Sequence, residues 1–208
     1  MKNIVDGLNT KDIAEIGMYS TPAKIMKYLV TQLEEKPKVI EIGTGYGDQL
    51  PHFGAGCSKL ICVDAMYNWV PDLTLAEGHD TNKFDQKKFD NWTSHVEPFK
   101  DTAQLVIGNS FLVHSEEQYQ ELFKDTNVLI VDGCHHPAQA VADDYLNFRK
   151  FLTNPHYVLF DDMGFSDCRQ GSDMCKKILA SEGYSVSSVD ITNSPYNIVC
   201  CLMFVEKK

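Results

Sequence analysis

Val39-Ile40-Glu41-Ile42-Gly43-Thr44-Gly45-Tyr46-Gly47-Asp48 decides how the rest of the chain is read. Lys38 to Ile42 is a short apolar run with β-branched residues, and it leads directly into three glycines at alternate positions. Such a run reads as a buried strand entering a tight turn. Glycine in that turn permits positive φ and lets a ligand come close to the backbone. Glu41 adds a carboxylate near the end of the strand.

Two readings of this loop compete with an ordinary glycine-rich strand-to-helix turn. A dinucleotide fingerprint has the spacing G-x-G-x-x-G and seats a diphosphate on a helix N-terminus. Here the third glycine, Gly47, comes one residue early, and Asp48 puts an anion where the diphosphate would lie. Adenosylmethionine has no phosphate and carries a sulfonium and an ammonium, so an acidic loop suits it better.

Working outward, Ser20-Thr21-Pro22 supplies a cap and a proline at a helix start, and Ile25, Met26, Leu29, Val30 and Leu33 form that helix's apolar face. The helix packs beside the first strand and brings Ser20 near the glycine loop. A short helix is expected from Asp48 to Phe53, broken by Gly54 and Gly56. Leu60 to Asp64 is a second strand ending in a carboxylate, placed to accept hydrogen bonds from both hydroxyls of a ribose. Residues 66–101 form a long connection, a candidate lid or substrate segment, with an amphipathic helix marked by Phe84, Lys88, Trp92 and Val96.

Gln104 to Ile107 is a third strand that ends at Gly108-Asn109-Ser110. Asn109 and Ser110 either reach an adenine or cap the helix containing Glu116 to Phe123. Asn127 to Asp132 is the fourth strand, Pro137 to Leu152 a helix, and Tyr157 to Phe160 the fifth strand, followed by Asp161-Asp162. A helix is expected from Asp173 to Glu182. Tyr184 to Ile191 and Ile198 to Val205 have no helix between them and should pair antiparallel. The pattern predicts an α/β fold: a Rossmann-like, doubly wound, seven-stranded mixed sheet with a C-terminal antiparallel hairpin.

A chain of 208 residues with 43% hydrophobic content suits a single domain over 1–208. The net charge of −10, with no basic stripe, argues against nucleic acid as a partner. No apolar run is long enough to span a bilayer, so a cytoplasmic protein with no membrane partner is expected. Seven cysteines without a C-x-x-C pair indicate neither a zinc site nor a disulfide framework.

Acids close four of the five parallel strands: Glu41, Asp64, Asp132 and the pair Asp161-Asp162. In open α/β sheets ligands bind beyond the carboxyl ends of the strands, so these groups should converge. Glu41 and Asp64 belong to the cofactor half. Asp132, Asp161 and Asp162 fall on the substrate side, where carboxylates without basic partners either rise in pKa or bind a cation. Oxygen ligands in that number suit Mg²⁺, with Ca²⁺ or Mn²⁺ as alternatives. Asp161 and Asp162 are equally placed to cap a helix. His135 and His136 follow Asp132 closely, well placed for a general base.

Val-Ile-Glu-Ile-Gly-Thr-Gly-Tyr-Gly, Asp64, Ile-Val-Asp-Gly-Cys-His-His and Val-Leu-Phe-Asp-Asp occur in an order that resembles class I adenosylmethionine-dependent methyltransferases. Within them the chain looks most like the metal-dependent, macrocin-type sugar O-methyltransferases, over residues 18–205 apart from 66–101. The resemblance implies Asp132, Asp161 and Asp162 as Mg²⁺ ligands and His135 as base, less favourably Asp132. It implies Glu41, Gly43, Gly45, Gly47 and Asp64 as donor-binding residues, and a small-molecule hydroxyl, a sugar or other vicinal diol, as acceptor. Cys134 and Pro137 depart from the usual Asp-Gly-Asp-His-Ser-Tyr pattern and leave the acceptor and the choice of histidine open. The alternatives are a metal-independent methyltransferase, a nicotinamide-dependent oxidoreductase and a non-catalytic adenosylmethionine-binding protein. Homo-oligomer contacts would also bear on the acceptor.

Overall fold

The computed structural model describes residues 1–8, 21–67, 84–133, 135–193 and 198–208. Seven strands form one sheet: β1 (Lys38–Ile42), β2 (Lys59–Asp64), β3 (Ala103–Ile107), β4 (Thr126–Val131), β5 (Leu152–Phe160), β6 (Tyr184–Asn193) and β7 (Ile198–Lys207). Their order is β3-β2-β1-β4-β5-β7-β6. The first five run parallel, and β7 lies antiparallel to both β5 and β6. The order reverses between β1 and β4, the switch point at which open α/β sheets leave a crevice.

Seven α-helices are present among the described residues: α1 (Thr21–Gln32), α2 (Leu50–Phe53), α3 (Gln86–Val96), α4 (Ser110–Val113), α5 (Glu117–Phe123), α6 (Ala138–Phe148) and α7 (Ser166–Ser181). Because side chains alternate along a strand, each face of the sheet receives its own core. On one face Val39, Leu60, Cys62, Val128 and Leu159 meet Ile25, Met26 and Leu29 of α1 and Trp92 and Val96 of α3. On the other, Ile40, Ile61, Leu129, Val158 and Met203 meet Val141, Tyr145 and Phe148 of α6 and Leu179 of α7. Phe123, Phe148 and Phe151 pack with centroids 5.1–6.1 Å apart. Burying one such ring fully is worth about 1.5–3 kcal/mol.

Boundaries differ from expectation at the last helix and at the fifth strand. The last helix starts at Ser166 rather than Asp173. Gly171 lies inside it, and a Cβ there would sit 2.7 Å from both Ala138 O and Val141 Cβ, so the glycine lets α6 and α7 approach rather than ending a helix. Strand β5 begins at Leu152, five residues early, and Leu152 therefore leaves α6. Pro155 sits where the β4–β5 register shifts, between Thr126↔Leu152 and Val128↔Tyr157, so its missing N–H falls outside the regular ladder. Within 66–101 the expected amphipathic helix is present. Gln86–Val96 is helix α3, with Trp92 and Val96 buried in the core, and only 68–83 lie outside the described residues.

Candidate active site

The carboxyl ends of the parallel strands stay in register past the last ladder pair. Gly43 N–H donates to Val63 O, Gly108 N–H to Asp64 O, Asp132 N–H to Ile42 O and Asp161 N–H to Val131 O, at 2.8–3.1 Å. This continuation brings the acids of separate strands to one rim.

On the β1–β2 side the glycine loop takes the predicted conformation. Gly43, Gly45 and Gly47 have φ of 84°, 58° and 76°. A Cβ at Gly45 would meet nothing closer than Gly43 O at 4.0 Å, so open space lies over the loop. Gly45 N–H donates to Asp64 Oδ2 at 2.9 Å. Asp64 Oδ1 accepts from Met66 N–H at 2.6 Å and from Lys88 Nζ at 2.7 Å. Glu41 is buried beneath the loop. Desolvation pushes its pKa up to about 7, opposed by the nearby Thr44 hydroxyl and by the hydrogen bond from the Cys62 thiol, and the charges of Asp64 and Asp161 add to the rise.

The remaining donor-side candidates divide. Asn109 accepts from Phe111 N–H and caps α4, a shorter and earlier helix than the one expected. Ser110 donates to Asp144, fully buried on α6, at 2.6 Å. Ser20 lies outside the described residues.

Beyond β4 and β5, one oxygen each from Asp132 and Asp162 and Nε2 of His135 lie within 4.8 Å of one another. His135 Nε2 is 3.0 Å from Asp162 Oδ2 and 3.6 Å from Asp132 Oδ1. That nitrogen is buried, yet neither carboxylate is aligned to form a hydrogen bond with it. The His135 ring stacks on Phe165, with centroids 5.7 Å apart and planes 13° apart. Asp161 turns elsewhere and accepts from the Cys200 thiol at 2.9 Å. The two neighbouring acids part because Asp162 has φ of 53°.

Burial, then repulsion from Asp161, Glu41 and Asp162, raises the Asp132 pKa well above the ordinary carboxylate range, against the pull of His135. Burial and the charge of Asp162 push Asp161 up to about 6, while the Cys200 contact opposes them. Asp132 and then Asp162 hold the His135 imidazolium, whose pKa is pushed up to about 10. In EDTA, an NMR titration should follow the His135 ring proton to a midpoint near 10. Saturating Mg²⁺ should bring that midpoint below 7, because the cation and the ring proton compete for the same two carboxylates. A midpoint near 6.5 without cation would show that the acids do not act on the ring.

The two halves of the rim touch. A Cβ at Gly43 would lie 2.1 Å from Asp132 O and 2.5 Å from Gly133 Cα, so the glycine loop is seated directly on the backbone that carries Asp132. Gln49 reaches Asp132 Oδ2 from the loop side at 3.4 Å. His136 pairs instead with Asp167 on α7 and is 83% exposed. The six described cysteines are free and buried. Lys88 was expected only as part of the amphipathic stripe with Trp92 and Val96, and it joins the site through Asp64. A cleft of about 480 Å³ lined by Met1, Lys2, Leu33, Glu35, Pro37 and Asn127 lies at the opposite ends of the strands, away from these acids.

No family model and no curated protein matches the chain. Solved structures do. An O-methyltransferase from Bacillus cereus in complex with SAH aligns at a TM-score of 0.66 and 14% identity, over 100% of this chain and 92% of that one. TomG from Streptomyces achromogenes, an O-methyltransferase of tomaymycin synthesis in complex with SAM, aligns at 0.64 and 11%, over 99% and 91%. The fold is that of the class I methyltransferases. The N-methyltransferase NodS from Bradyrhizobium japonicum shares it at 0.60 and 12%, over 90% and 95%. This methyltransferase fold therefore carries more than one acceptor chemistry, and the acceptor has to be argued from the site. Among the described residues no helix is long and apolar enough to cross a membrane.

Proposed function

We propose that the chain is an adenosylmethionine-dependent O-methyltransferase, assisted by a divalent cation, that acts on a hydroxyl of a sugar or other vicinal diol. The observation that carries this reading is the contact of Gly43 with Asp132, which sets a nucleoside-type loop and an acid–histidine cluster against one wall. Structures of the same fold hold SAH and SAM, which supports the donor. The net charge of −10 favours a small acceptor over nucleic acid.

The loop suits the donor. Open space over Gly45 gives room for a nucleoside, with Asp64 beside it for ribose hydroxyls and Glu41 below. Asn109 and Ser110, whose side chains are engaged in capping α4 and in bonding Asp144, would meet the adenine through their backbone. When bound, the donor supplies a methyl group activated by sulfonium.

The donor set of the cluster also fits a divalent cation. Asp132 and Asp162 offer hard oxygens and Asp161 adjoins as a third acid, while His135 Nε2, buried without an aligned partner, is kept for the proton rather than the cation. When bound, the cation supplies Lewis acidity toward an acceptor hydroxyl. His135 Nε2 receives the hydroxyl proton. With its pKa near 10 the ring would already be protonated at neutral pH, so the base role requires the carboxylates' charge to be drawn elsewhere. The protein's share is alignment for in-line transfer. A metal-independent reading draws on the same contact, since an imidazolium offsets part of the cluster's negative charge without a cation.

Calorimetry with adenosylmethionine and NAD tests the donor, and NAD binding alone would overturn the reading. Labelled donor with sugar and catechol acceptors, in Mg²⁺ and in EDTA, tests the rest. Turnover should appear with a diol and fall to background in EDTA. Undiminished turnover in EDTA would favour the metal-independent reading.

A further inference from the structure

We propose that Lys88 belongs to the donor site and hydrogen-bonds the ribose oxygens alongside Asp64; this rests on the adenosylmethionine reading above. Lys88 is no loose surface lysine. Its side chain is 14% exposed and that of Asp64 is 7% exposed. The Asp85 side chain caps α3 by accepting from Lys88 N–H at 3.1 Å, and Asp85 N–H donates to Met66 O at 2.7 Å. Tyr67 and Phe84 form an isolated antiparallel bridge. The first turn of α3 is thereby tied to the turn that follows Asp64.

The hydrogen-bond count at Asp64 then selects a ligand. A carboxylate offers about four acceptor sites. Gly45 N–H, Met66 N–H and Lys88 Nζ occupy three of them. Asp64 therefore has about one site left and cannot by acceptance alone hold both hydroxyls of a ribose. Lys88 supplies what is missing. An ammonium carries three donors, and Asp64 is its only hydrogen-bond partner among the described residues. Leaving such donors unsatisfied in a largely dry site is unfavourable. A cis-diol answers both deficits: one hydroxyl donates to Asp64, and the diol oxygens accept from Lys88.

The test is adenosylhomocysteine affinity, measured by calorimetry on the full chain for wild type, Lys88→Met and Lys88→Arg. The same titrations are run with the 2′-deoxy and 3′-deoxy analogues. Lys88→Met should weaken adenosylhomocysteine by roughly tenfold to a hundredfold, the range for a hydrogen bond to a charged group. Lys88→Arg, which keeps the charge and the donors on a larger head, should lose less than Lys88→Met. At least one deoxy analogue should lose clearly less than adenosylhomocysteine does on Lys88→Met, because one accepting oxygen is already gone. An equal loss for all three ligands in Lys88→Met would make Lys88 a structural clamp and overturn the assignment. Unchanged or tighter binding by Lys88→Met would make it a plug, with the same consequence. Lys88→Arg and the analogues on wild type stay informative if the methionine variant fails to fold. Wild type that binds no adenosylhomocysteine brings down the donor reading itself, a result distinct from either.

Discussion

Alanine at Gly43 is expected to destabilise the fold by roughly 2–6 kcal/mol, combining overpacking with left-handed backbone strain. The Cβ has no free direction. It meets Asp132 O at 2.1 Å and Asp132 C and Gly133 Cα at 2.5 Å, all backbone atoms, and φ is 84°. Relief requires β1 and β4 to separate at their carboxyl ends, which also opens the wall between donor loop and acid cluster. Against a total stability of about 5–15 kcal/mol this is a large share. Gly45→Ala is the control. It carries strain at φ of 58° but enters open space, so its stability cost should be near 1–2 kcal/mol. Urea melts of both variants, followed by adenosylhomocysteine titration, check the ordering. A Gly43→Ala protein as stable as wild type would show that the two strand ends are not in contact.

Asp132→Asn should leave the fold intact and lower turnover by about a hundredfold or more, the scale of several kcal/mol of cation-derived stabilisation. The backbone link Asp132 N–H to Ile42 O does not depend on the carboxylate. What is lost is one of the two acids facing His135 and the charge of one proposed ligand. Mn²⁺ binding followed by electron paramagnetic resonance should weaken in parallel, while adenosylhomocysteine affinity stays within a few fold. Full turnover by the variant would remove Asp132 from the chemistry.

The parallel strands were legible because each carries a short, mostly apolar core, interrupted in β1 by Glu41, of the kind a doubly covered sheet requires. The C-terminal hairpin was legible because no helix fits between its strands. Other features were hidden by residues with two meanings. Gly171 looks like a helix stop in sequence and serves as a helix contact in space. Pro155 excludes a regular ladder but not a strand with a shifted register. Asp161 and Asp162 are equivalent as letters, and only the left-handed backbone at Asp162 sends one toward Cys200 and the other toward His135. Lys88 was read as part of an amphipathic stripe, where long side chains are commonly tolerated. Its pairing with Asp64 depends on how α3 returns to the sheet.

The placing of β7 between β5 and β6 reaches into how the protein is made. Asp161 is enclosed by Cys200, and β5 has a partner on that flank only once Ile198–Lys207 has docked. Because β7 follows β5, α7 and β6 in the chain, a nascent chain carries β5 as a bare flank until Ile198–Lys207 has been made and has docked. The acid-bearing rim is thus completed by a strand made after the other six, and turnover should begin only once that strand has docked.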